Sequence, residues 1–178
     1  MVTVTNYSEG RLHALDGLRA AAMLLGIVLH AAASFIVTPF PWIVRDVSRN
    51  TMIGWNQLIG TVTDPAEKIR RVCDAIPDHI KKYADHYHVL HGALSTSRDK
   101  KVIAVMKEHY REIEDFFSKI IAEGQKAGNF QKGLNPKSIA WHFITTGIGY
   151  AMVSLNLGQI DRPMVEAMIE SMLRGMRN

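Results

Sequence analysis

The residues best equipped for chemistry gather in one short stretch, Tyr83-Ala84-Asp85-His86-Tyr87-His88-Val89-Leu90-His91, where three imidazoles fall close together. Imidazole is a common zinc ligand and titrates near neutrality, so such a cluster invites a metal or proton-transfer reading. Helical geometry argues against a shared ion. His88 and His91 face one way, while His86 points about 160° from His88. No metal or other cofactor is therefore expected, and Tyr83, Tyr87 and His91 read as polar groups lining a small-molecule cavity or as ordinary, partly exposed positions.

A second set lies farther along, where Trp141, His142, Thr145 and Tyr150 sit in an otherwise apolar stretch. A few polar groups in an apolar cavity can orient a ligand, which makes Trp141 and Thr145 candidate binding residues. A core or subunit-interface role is the alternative. Cys73, the only cysteine, reads as a buried, inert thiol. It can form neither an intramolecular disulfide nor a cysteine-rich zinc site, which fits a reducing, cytoplasmic compartment. No Ser/His/Asp order or carboxylate pair is specific enough to propose hydrolysis.

These groups need a scaffold, and 178 residues, 47% hydrophobic and 21% charged, suffice for one domain with a short appendage. That composition excludes disorder, collagen-like repeats and a disulfide scaffold, and the length excludes a large membrane enzyme. The net charge of +4 is spread along the chain, without the basic stripe of a nucleic-acid reader.

Hydropathy divides the chain at about residue 51. Residues 20–37 carry no charge and are apolar on every face, apart from His30 and Ser34. As a helix they reach about 27 Å, close to a bilayer core. Pro39 and Pro41 end the run, and Trp42 is a residue type favoured at membrane interfaces.

Beyond Asn50 the pattern becomes that of amphipathic helices. Asp64-Pro65-Ala66-Glu67 predicts a start with Asp64 as N-cap, Pro65 in the first turn and Glu67 as capping-box partner. Ile69, Val72, Cys73, Ile76 and Ile80 follow at helical spacing, with a kink expected at Pro77. A second helix is expected at about 85–94. A third, capped by Ser97, carries Val102, Ile103, Met106, Tyr110, Ile113, Phe116, Phe117, Ile120 and Ile121 toward the core. Gly124 and Gly128 offer the left-handed conformation that ends it. Asn135-Pro136 opens a fourth helix to about Leu157, apolar almost all round and therefore buried, at a subunit interface, or in a membrane. Asp161-Arg162-Pro163 opens a fifth, with Met164, Val165, Met168, Ile169, Met172 and Leu173 on one face. No strand pattern or glycine-rich phosphate loop appears.

This order, and above all Ala122-Glu123-Gly124-Gln125-Lys126-Ala127-Gly128-Asn129-Phe130 followed by Asn135-Pro136 and Trp141 to Gly149, resembles the C-terminal effector-binding domain of TetR-family transcriptional regulators over residues 55–178. The resemblance implies an all-α, five-helix domain that binds a hydrophobic or aromatic small molecule. It also implies a homodimer through the last two helices. The family's helix-turn-helix has no counterpart before residue 55, so DNA is not an expected partner.

Residues 10–50 resemble something else. Arg11-Leu12-His13-Ala14-Leu15-Asp16-Gly17-Leu18-Arg19, ten apolar residues and then His30 are similar to the first transmembrane helix of membrane acyltransferase family 3. That resemblance makes Arg19 and His30 candidate catalytic residues. On a helix they share one stripe about 16 Å apart, joined by Asp16. A single span cannot enclose an acyl donor, so acyl transfer by this chain is not expected. The expected organisation is an acyltransferase-like hydrophobic helix in 1–51 and a TetR-like domain in 52–178. The alternative is a membrane-tethered fragment, anchored through 20–37.

Overall fold

The computed structural model describes residues 16–26, 28, 41–158 and 161–177. The chain divides into two compact units, Met1–Thr38 and Pro39–Asn178. In the first, residues 16–26 are helical (α1), and Leu18, Met23, Leu24 and Leu25 are exposed. Arg19 pairs with Asp16 across one turn at 3.6 Å, as their shared stripe requires. His30 and most of residues 27–37 lie outside the described residues. Among the described residues no helix is long and apolar enough to cross a membrane. That finding covers the apolar helix beginning at Pro136.

The second unit consists of α2 (Pro41–Ile59), α3 (Pro65–Lys82), α4 (Ala84–Thr96), α5 (Lys100–Ala127), α6 (Pro136–Leu157) and α7 (Arg162–Met176), and no strand occurs among the described residues. The five expected helices correspond to α3–α7, so the count of five omits α2. Two prolines before a tryptophan read as a stop, yet proline is well suited to a helix's first turn, and Pro41 opens α2. The helix runs through residue 51, where hydropathy changes, and the compact units divide between Thr38 and Pro39.

Helix starts follow the capping chemistry. Asp64 accepts hydrogen bonds from the Ala66 and Glu67 amides, and Asn135 from those of Lys137 and Ser138. Glu67 does not close the expected capping box; its carboxylate is taken by Arg71 at 3.1 Å and Arg70 at 3.6 Å. Asp99 rather than Ser97 caps α5, accepting from the Lys101 amide at 2.7 Å. Gly128 and Gly158 end α5 and α6 at φ 82° and 62°, backbone that side-chain-bearing residues adopt rarely. Gly124, expected to share the termination of α5, lies inside the helix.

The long α5 is the central member, packed against α2, α3, α4 and α6, while α7 rests on α3. Ile69, Val72, Val102, Phe117, Ile121, Phe130 and Leu173 are fully enclosed between them. Val105 is buried and Ile103 exposed, so the core stripe of α5 is rotated slightly from the expected one. Polar links fix the periphery. Ser48 donates to Glu112 from α2 to α5, and a two-pronged Arg70–Glu170 pair with Arg162–Asp78 at 2.8 Å hold α7 to α3.

Candidate functional site

Five helices of the second unit converge on a cavity of about 80 Å³. Helix α2 supplies Thr51 and Trp55, α3 supplies Cys73, Ile76 and Ile80, and α4 supplies Tyr87, Leu90 and His91. From α5 come His109, Tyr110, Ile113 and Phe117; from α6, Phe143, Ile144, Gly147 and Ile148. The aromatic wall is ordered by ring contacts: Phe117 stacks on Phe143 at 5.3 Å, and Trp55 meets Phe117 edge-on at 5.6 Å. Gly147 opens the α6 side, since nothing lies within 4 Å of where its Cβ would stand. A second cavity of about 40 Å³ lies toward α7 and shares Cys73, Ile76, Phe143 and Gly147 with the first.

In contrast to a wider, open groove of about 630 Å³ between α2 and α5, lined by Arg45, Arg49, Glu108, His109 and Glu112 among others, the first cavity is bordered by no Asp, Glu, Lys or Arg. Its titratable groups are held neutral by burial. Desolvation pushes His109 down to about 4 and Tyr110 up to about 12. Tyr87 likewise rises to about 12, with Tyr110 beside it adding to the effect. The Cys73 thiol is raised to about 12 by burial and then by Asp74, which leaves it protonated and a poor nucleophile. His91 is lowered by burial and by His88. These groups can hold a neutral molecule but form no activated nucleophile.

Hydrogen bonding separates the polar residues of the wall into two kinds. The Tyr87 hydroxyl lies 3.1 Å from His79 Nδ1 and is satisfied there. His109 Nδ1 and Tyr110 Oη are buried with no protein partner. Leaving a buried polar atom unpaired costs about 1–3 kcal/mol, so both atoms favour any occupant able to bond them.

Of the residues expected from sequence to bind a ligand, Tyr87 and His91 line the cavity. Tyr83 stands at the junction of α3 and α4, its ring stacked on His86 and tilted against His79. Trp141 is exposed on α6 and donates to Glu114 at 3.0 Å; Lys137, first, and Trp141, second, hold that carboxyl below the usual range. Thr145 is exposed and donates to the Trp141 carbonyl of its own helix. His109, Trp55 and Thr51 were missed. His109 stands at helical spacing between Met106 and Ile113 of the core stripe, and that spacing was the available signal. Among the described residues no group of three His, Cys, Asp or Glu is placed to hold a metal ion.

His109 carries a pH dependence. Above about pH 6.5 both folded and unfolded chains leave it neutral; below that the unfolded chain takes up the proton first, and stability falls until the folded value near 4 is reached. Urea unfolding at pH 7 and pH 5 is expected to show wild type losing about 2 kcal/mol more than His109→Leu, the other histidines cancelling in the comparison.

The arrangement of α2–α7 is that of an all-helical, TetR-like fold. It superposes on a crystal structure of a TetR-family transcriptional regulator from Agrobacterium tumefaciens with a TM-score of 0.62 and 19% identity, covering 76% of this chain and 71% of that one. No family model and no curated protein matches the sequence, and the acyltransferase resemblance of residues 10–50 finds no counterpart in these comparisons.

Proposed function

We propose that residues 41–178 form an effector-binding and homodimerisation domain of the TetR type, whose ligand is a small, neutral, largely apolar molecule held between α2 and α6. The observation that carries this reading is the uncharged, aromatic-lined cavity, with buried polar atoms left without partners. At about 80 Å³ the cavity is smaller than the roughly 150 Å³ known to accept benzene. Phe143 stands in the wall between this cavity and the second one of about 40 Å³. A benzene-sized ring enters only if the wall at Phe143 gives way toward the second cavity, and drug-sized ligands, which occupy about 300–1,000 Å³, do not fit this reading.

The dimer is assigned to α6 and α7. On α6, Trp141, Thr145, Gly149, Met152 and Asn156 are exposed at successive turns of one face; on α7, Met164, Met168, Ser171 and Gly175 are exposed likewise. Small residues and methionines on two helices suit close packing against a second copy.

The test of the binding reading is calorimetric. Toluene is expected to bind saturably at a single site per chain. Gly147→Leu, which directs a side chain into the cavity from a position where a Cβ meets nothing within 4 Å, is expected to abolish that binding while helical content is retained. Undiminished affinity in this variant would contradict the assignment.

A further inference from the structure

We infer that the ligand carries a hydroxyl group on its apolar or aromatic body, and that His109 Nδ1 and Tyr110 Oη bond that hydroxyl. The inference rests on the reading of the cavity as an effector site and specifies its chemistry. His109 and Tyr110 are neighbours on α5, only 5% and 8% exposed, with ring centroids 5.1 Å apart. Both residues border the cavity, His109 standing also at the groove between α2 and α5, and both atoms lack a protein partner, whereas the nearby Tyr87 hydroxyl is already engaged by His79. A neutral imidazole nitrogen either donates or accepts according to its tautomer, and a phenol does both. A ligand hydroxyl matches either tautomer, because it too donates and accepts; a ligand carbonyl can only accept. A carboxylate or phosphate is disfavoured, since no cationic side chain borders the cavity and an unpaired anion is costly in an apolar enclosure.

Phenol and toluene, nearly identical in shape, separate this inference from simple apolar filling. An entirely apolar cavity prefers toluene, because a hydroxyl surrenders its water bonds for no return. Titration of the full chain is expected to show phenol binding at least as tightly as toluene. Tyr110→Phe, which removes one oxygen and keeps the ring, should weaken phenol about tenfold and leave toluene within about twofold. His109→Leu should shift the phenol-to-toluene ratio in the same direction. Toluene outcompeting phenol in wild type, with a ratio unmoved by either substitution, overturns the hydroxyl assignment and leaves the effector site standing. Failure of both compounds to bind overturns the two together.

Discussion

Gly124→Ala should lower the free energy of unfolding by about 1–3 kcal/mol, although alanine is the better helix former. Gly124 lies inside α5 with ordinary helical backbone, so its value is space rather than conformational freedom. An added Cβ would meet the Phe130 ring at 2.2 and 2.4 Å, and that ring is fully enclosed. Phe130 folds back over the helix end because Gly128 turns the chain, with the Asn129 and Phe130 amides both bonding the Gly124 carbonyl at 2.8 and 3.2 Å. The two substitutions should therefore couple. Phe130→Ala alone costs about 3–5 kcal/mol by opening a cavity. In the double variant the alanine at 124 no longer collides, so urea unfolding should show less destabilisation than the two single losses added. Strict additivity would mean that the close approach does not govern this corner of the fold.

The second large effect concerns assembly. Met152→Glu combined with Met168→Glu should weaken the proposed homodimer at least about 100-fold, read by sedimentation equilibrium, because each protomer would bury two uncompensated charges. Met152 and Met168 are 46% and 36% exposed in the single chain, so the substitutions fall on its surface and the helical content should be retained. An unchanged association constant would remove α6 and α7 from the interface.

The helices that sequence reveals best are those that begin with their own cap. Asp64-Pro65, Asn135-Pro136 and Asp161-Arg162-Pro163 each carry a hydrogen-bond acceptor and a proline near the first turn, and each opens a helix in the structure. Helix α2 is hard to read from sequence because Pro41, which opens it, serves equally well to close the apolar run before it. Gly124 was misread for a related reason. Glycine serves both left-handed backbone and close packing, and only the position of Phe130 distinguishes the two.

The site was legible only in part. Tyr87 and His91 line the cavity because the aromatic and imidazole cluster is dense enough to place some member on any inward face. Trp141 and Thr145 stand out as polar groups of an apolar helix, yet the polar groups of such a helix turn outward wherever solvent offers a face, and both are exposed. His109 stands at core-stripe spacing but among charged neighbours, Lys107, Glu108, Arg111 and Glu112, which mark a solvated face. The core stripe passes between them, and burial of a histidine there shows only once the rotation of α5 against α2 and α6 is known.

The central claim, that a small apolar molecule occupies the cavity between α2 and α6, is tested most directly by magnetisation transfer from bound toluene to isoleucine methyl groups of the full chain. Transfer to Ile76, Ile80, Ile113, Ile144 and Ile148, which border the cavity, is the result predicted, with none to the exposed Ile53 and Ile103. Transfer confined to surface isoleucines, or none at saturating toluene, would contradict it.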